Sequence, residues 1–231
     1  MIGRVMFETS VYDSIAEQYE SRIIRPQEDY GIFLKTYDVT PPKAKIYRVQ
    51  LEGADGSLDF TEWAGRGNVL YETRVVTVEL RDLNDKSSKI RNAMLGRKTK
   101  ITFSDAPDWY YDGRCDEIQS ATRKHVTDMT LKFTCKPYRF AHQMTYVSKT
   151  VSTSERFALR ALRAPVVPII NVQGTGTVSA TITVNGVEYQ LVAGDNTNVP
   201  VKVTDTAQYR TVVNTGSNDI TVTFRWRDGE F

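Results

Sequence analysis

From Met129 to Lys136 the chain alternates without a break. Met129, Leu131, Phe133 and Cys135 are apolar, and Thr130, Lys132, Thr134 and Lys136 between them are polar. A period of two is the strand period, because successive Cβ atoms leave a strand on opposite sides. Such a strand covers a core with one face and meets water, or a partner, with the other, which is the habit of antiparallel sheets. The period recurs upstream in Thr99, Ile101 and Phe103, in Val76, Val78 and Leu80, in Tyr30, Ile32 and Leu34, and in residues 2–8 through Ile2, Val5 and Phe7. Tyr47, Val49 and Leu51 alternate with Arg48 and Gln50, and predict a further strand with one buried face. Gly53 and Asp55-Gly56 then supply turn chemistry, and Leu58 and Phe60 return from it.

Helical signals are few. Asn84 to Leu95 is the best of them: Asn84 is placed to cap, Ile90 and Met94 lie four apart, and Gly96 suits the position just past the end. In Ser10–Ile23, Val11, Ile15, Tyr19 and Ile23 recur every fourth residue, so the segment reads either as a short helix or as an exposed excursion.

Between Ala141 and Pro168 Ser, Thr, Lys and Arg interrupt short apolar groups, which puts a domain boundary near 144 and predicts domains 1–143 and 144–231. Ser154 to Arg163 fits a capped helix or a strand equally. Beyond Pro168 helical periodicity disappears. Val178, Ala180, Ile182 and Val184 run into Asn185-Gly186, the strongest two-residue hairpin signal, and Val187, Tyr189 and Leu191 come back. Val199–Val203, Tyr209–Val213 and Ile220–Trp226 read as further strands. Short strands at a spacing near ten residues predict an antiparallel sandwich or jelly roll.

The chemistry of an enzyme is hard to find. Of 30 Lys/Arg and 28 Asp/Glu, residues 144–231 hold 8 and 7 and residues 1–143 hold 22 and 21, so neither half is a basic lobe and nucleic acid is not an expected direct partner. No apolar run is long enough to span a bilayer, and the start of the chain lacks a secretory pattern, so folding in a cytoplasm is expected. His125 falls at a hairpin tip and His142 beside the domain junction, with no convergent third group. Gly174-Thr175-Gly176 is too short for a phosphate loop, and Asp55 to Asp59 lacks the oxygen spacing of a calcium loop. Asp105 and Asp108 flank a proline turn. Cys115 and Cys135 stand equally far from residue 125; they read as apolar core fillers, with an arrangement face to face across two strands left open. No catalytic residue, metal ligand or cofactor is assigned.

The aromatics say more. Trp109-Tyr110-Tyr111 puts three large rings in a row, so at least one points away from the core, and the three are candidates for a subunit or partner interface. Tyr189, Tyr209, Phe224 and Trp226 suit a sugar-stacking face, or more simply fill the sandwich.

Taken in order, residues 1–140 resemble the distal tail protein family of long-tailed, non-contractile (siphovirus-type) bacteriophages. The resemblance is carried by a first strand ending near Phe7, by Tyr30-Gly31-Ile32-Phe33-Leu34, and by Pro41-Pro42 ahead of Tyr47. It continues through Gly53, Asp55-Gly56, Asp59 and Thr61, through Tyr71, Arg74 and Val78, and through the Asn84–Leu95 helix with Gly96-Arg97. Phe103, Asp105, Pro107, Tyr110-Tyr111 and Gly113-Arg114 follow, and Phe133, Cys135 and Pro137-Tyr138 close it. The C-terminal part fits by position and β character.

The resemblance implies a mainly β chain: an N-terminal β-sandwich or barrel with one flanking helix, then a C-terminal galectin-like antiparallel β-sandwich. It implies a homo-hexamer, a ring joining the tail tube protein to tail hub, tail-tip, fibre or receptor-binding proteins. The lumen would lie on the DNA exit path, at the tail tip of a virion assembled in the bacterial cytoplasm. No catalytic residue belongs to that role. Glycan binding by the C-terminal domain, as a lectin-like module in host-surface adhesion, is the alternative. Thr9 to Asp29 is longer than the family's connection and reads as an arm clasping a neighbour or as a loop particular to this chain.

Overall fold

β-Branched and aromatic side chains at every second position favour extended backbone, where they pack on a pleated surface, and the fold is mainly β. The computed structural model describes residues 3–13, 18–53, 55–65, 67–176 and 178–231. Ile2 of the expected first strand and Ile15 of the possible helix lie outside the described residues. The chain clusters into two compact units, Met1–Arg139 with Phe231, and Phe140–Glu230.

The first unit holds β1 (Val5–Asp13), β2 (Gln18–Ile24), α1 (Pro26–Tyr30), β3 (Ile32–Val39), β4 (Arg48–Gln50), β5 (Ser57–Asp59), α2 (Thr61–Ala64), β6 (Arg74–Asp82), α3 (Ser87–Met94), β7 (Lys98–Phe103), β8 (Trp109–Arg123) and β9 (Val126–Ala141), whose last two residues fall in the second unit. Seven of these strands lie in one eight-stranded sheet, in the order β2-β1-β7-β8-β9-β6-β3. The sheet curls on itself. Phe7 of β1 stacks on Phe133 of β9 with ring centroids 5.7 Å apart, and Tyr37 of β3 stacks on Phe103 of β7 at 3.8 Å, although neither pair of strands is adjacent. Val76, Val78, Leu80, Ile101 and the four apolar members of Met129–Cys135 are buried inside the curl.

Ser10–Ile23 forms no helix among the described residues. Phe7 pairs with Ile101 of β7 on one side and with Ile24 of β2 on the other, so β1 runs on into a hairpin in which Thr9 faces Arg22 and Asp13 faces Gln18. Sheet pairing overrides the four-residue spacing there. The helix α3 lays Ile90, Ala93 and Met94 on the core as expected, but Asn84 does not cap it. The Asp82 carboxylate accepts from the main-chain N–H of Asn84 at 2.8 Å and of Lys86 at 2.6 Å instead. Gly96 takes a φ of 75° past the helix end, and its N–H donates to the Cys115 carbonyl at 2.7 Å. Both cysteines are free and buried, and burial pushes each thiol up to about 12, the inert condition of core cysteine.

On the outer side of β3, β6 and β9 Arg81 grips Asp128 with two bonds of 2.8 and 3.0 Å, and Lys35 reaches it at 3.1 Å. Hydrogen bonding from Arg81, with help from Lys35, holds the Asp128 carboxyl well below the usual range. A carboxyl depressed on folding adds stability that is complete above its unfolded value of about 4 and is lost as pH falls from there toward the folded value. The three side chains are partly exposed, so salt weakens the contribution. Urea unfolding below pH ~4 should therefore show a shallower acid loss in Asp128→Asn than in the parent. Parallel pH profiles would show that the bridge contributes nothing.

The second unit holds β10 (Thr145–Val151), β11 (Ser154–Leu159), β12 (Ile169–Gly174), β13 (Ala180–Val184), β14 (Val187–Leu191), β15 (Gly194–Asn196), β16 (Gln208–Asn214), β17 (Ile220–Trp226) and β18 (Gly229–Glu230). Two four-stranded sheets, β10-β17-β12-β15 and β11-β16-β13-β14, enclose Val172, Ile182, Val212 and Val222. Phe157 of one sheet meets Phe224 of the other at 4.9 Å, so the unit is an antiparallel sandwich. Asn185 and Gly186 take φ of 52° and 81°, the two positive values a type I′ turn demands. Ser154–Leu159 resolves to strand. Val199–Val203 does not: its valines are buried as the alternation predicts, but only Val203 bridges to a partner, Val166.

Candidate assembly surface

The hairpin of β4 and β5 stands apart from the curled sheet. Arg48 faces Asp59, Val49 faces Leu58 and Gln50 faces Ser57. Alternation then gathers Tyr47, Val49, Leu51, Leu58 and Phe60 on one face and Arg48, Gln50, Ser57 and Asp59 on the other. Polar bonds lock the hairpin to α2. The Phe60 N–H donates to the Tyr47 carbonyl at 2.8 Å, the Tyr47 N–H to Thr61 Oγ1 at 3.1 Å, and the Thr61 N–H to Asp59 Oδ1 at 2.9 Å. Hydrogen bonds from the Thr61 hydroxyl and main chain, and then from Arg48, hold the Asp59 carboxyl below its ordinary range. With α2 so placed, Trp63 meets the Phe60 ring edge-on, centroids 6.5 Å apart. Tyr47, Val49, Phe60 and Trp63 line an open groove of about 450 Å³.

The expected buried face of this strand is not buried. Its apolar side chains are all exposed, from 39% for Phe60 to 81% for Trp63, with Ile46 beside them. Covering a half-exposed apolar side chain is worth on the order of 1 kcal/mol, and six or seven lie together. A contiguous apolar surface of this kind marks an interaction site, and a two-stranded hairpin is at best marginal in water without a cover. The arrangement has one chemical competence, which is to bury apolar surface against another body.

Trp109-Tyr110-Tyr111 opens β8. Tyr110 is buried, with the Lys100 ammonium 5.4 Å from its ring centroid. Tyr111 is half-buried, edge-on to Phe103 at 6.2 Å and 5.6 Å from the Arg74 guanidinium, and half-buried Trp109 has Arg139 over its ring at 5.2 Å. Each ring meets a cation of its own unit. Of the four aromatics that suit sugar stacking, Phe224 and Trp226 are core and Tyr189 packs against it. Tyr209 is exposed, but the Arg156 guanidinium covers its ring at 3.9 Å. His125 is exposed in the β8–β9 turn. Among the described residues no three His, Cys, Asp or Glu side chains gather as a metal site, and no helix is long and apolar enough to cross a membrane.

No protein-family model and no curated protein matches the sequence. Among solved structures, the chain is similar to the crystal structure of the SPP1 Dit (gp 19.1) protein, described as a paradigm of the hub adsorption apparatus of phages that infect Gram-positive bacteria. That likeness has a TM-score of 0.61 at 15% identity and covers 100% of both chains. A chain from the phage p2 baseplate in its activated conformation with Sr matches at a TM-score of 0.49 and 8% identity, over 96% of this chain and 98% of that one. From end to end, the chain has the fold of a siphophage distal tail protein.

Proposed function

We propose that this chain is a structural subunit of a phage tail tip, a distal tail protein that forms a hexameric ring between the tail tube and the tail-hub, tip or fibre proteins. The observation that carries the reading is the uncovered apolar face of β4 and β5 with Trp63. A chain built to work alone has no use for it, whereas a repeating subunit covers it with its neighbour. The likeness to SPP1 Dit over the full length of both chains supports the tail-hub assignment. In this reading residues 1–143 make the ring, residues 144–231 are a galectin-like domain projecting from it, and the lumen lies on the DNA path. The open parts of Trp109 and Tyr111, with Tyr110 between them, are a second candidate contact. The work is architectural, carried out in the virion after assembly in the host cytoplasm.

Purified protein should elute with a mass near six times the 26.2 kDa of one chain by light scattering and show rings by negative-stain electron microscopy. A monomer at tens of micromolar that binds neither a tube nor a hub protein would refute the reading.

A further inference from the structure

We propose that Trp63 of one copy inserts into a pocket between β1, β7 and α1 of the next copy, a contact that rests on the ring reading and names surfaces that meet in it. The pocket lies within the first unit and has a volume of about 260 Å³. That is below the roughly 300–1,000 Å³ of a small-ligand site and suits a single large side chain. Its floor is apolar: Val5 of β1 pairs with Phe103 of β7, and both are buried. Around it Arg4 and Arg25 stand beside Glu28, 3.3 and 3.5 Å from its two carboxylate oxygens.

Gln27 of α1 makes the pocket selective. Its Oε1 is shut off from solvent, and no donor among the described residues reaches it. A buried acceptor left unpaired is costly, so the occupant must bring an N–H or O–H. The two guanidinium groups favour an aromatic face, that of Trp most of all. An indole meets both demands, with a large apolar face and one N–H that can only donate. Trp63 is 81% exposed, more than any other large apolar side chain among the described residues, and it is not part of the pocket's lining. The helix α1 leads into β3, and the hairpin with α2 follows β3, so knob and hole are different patches of one unit. A patch that fits a different patch of a second copy makes a head-to-tail contact, the kind that closes into rings. A self-complementary patch would stop at two.

Trp63→Phe keeps a ring and loses the N–H, and Gln27→Leu keeps the bulk and loses the acceptor. Each should weaken association about tenfold in sedimentation of the full chain, and the two together no more than either alone, because they remove one bond. Trp63→Ala lacks the knob, and Met6→Trp fills the pocket from β1. Each should run as a monomer with parental circular dichroism, and an equal mixture should form dimers and nothing larger, since one intact contact remains per pair. If Met6→Trp loses the parental dichroism, the Phe and Leu pair decides alone. Trp63→Ala rings as stable as the parent's, Phe and Leu losses that multiply, or a mixture that stays monomeric overturn this contact and leave the ring reading standing. A parent chain that is itself a monomer overturns both.

Discussion

Val49→Asp is expected to leave the chain folded and to abolish its self-association. Val49 sits mid-strand on the open face of β4, opposite Leu58 and belonging to neither core cluster. In the free chain the new carboxylate stays in water, so the cost to the fold is limited to strand preference, at most about 1 kcal/mol. In an assembly covering this groove the same carboxylate is desolvated among Tyr47, Phe60 and Trp63, none of which carries a charge to meet it. An unpaired buried charge costs several kcal/mol, and at about 1.4 kcal/mol per decade association should fall at least a hundredfold. Gln50→Glu adds the same charge one residue along, on the polar face beside Arg48, and should assemble like the parent. Light scattering reads the mass and circular dichroism the fold. Val49→Asp rings of parental mass would remove the hairpin from the interface. Equal loss in Gln50→Glu would assign the effect to net charge instead.

The same hairpin marks the limit of what periodicity reveals. Tyr47, Val49 and Leu51 alternate as regularly as Val76, Val78 and Leu80, yet the second set is inside the curl and the first is open. Alternation states that one face of a strand is apolar; it does not state whether the cover is the same chain or another. Local chemistry was legible where it acts through the backbone: the positive φ of Asn185 and Gly186, the stop at Gly96, the Ile90 and Met94 stripe. It was not legible where long-range pairing decides. Ser10–Ile23 has helical spacing but folds back as the β1–β2 hairpin, continuing the strand that Val5–Thr9 pair with β7. Asp82, which ends β6 with its side chain buried, holds the turn ahead of α3 through the Asn84 and Lys86 N–H groups, and no side chain caps the helix itself. Trp109-Tyr110-Tyr111 does not announce which ring is buried: strand pairing puts Tyr110 inside, and Lys100, Arg74 and Arg139 stand over the three rings from other strands.

Asp228→Ala should be among the most damaging substitutions in the second unit. Asp228 is 8% exposed, and its carboxylate collects three donors: the Leu162 N–H and Trp226 Nε1–H at 3.0 Å each on Oδ1, and the Thr145 hydroxyl on Oδ2. These donors come from the start of β10, the segment after β11 and the end of β17, so one side chain joins three stretches far apart in sequence. Alanine leaves all three without an acceptor. A buried donor left unpaired costs about 1–3 kcal/mol, and since part of that is regained by relaxation, a total of about 3–5 kcal/mol is expected. For a unit of this size each 1 kcal/mol lowers the midpoint by roughly 4–8 °C, so a fall of at least about 12 °C is expected. Asp228→Asn is the discriminating companion. Its carbonyl still accepts from Leu162 and Trp226, and the Thr145 hydroxyl turns to accept from its amide, so the loss should be nearer 1 kcal/mol. Hydrogen exchange over residues 140–230 reads this unit by itself. Protection in Asp228→Ala equal to that of the parent would mean that water replaces the carboxylate and that the junction is held by its apolar neighbours alone.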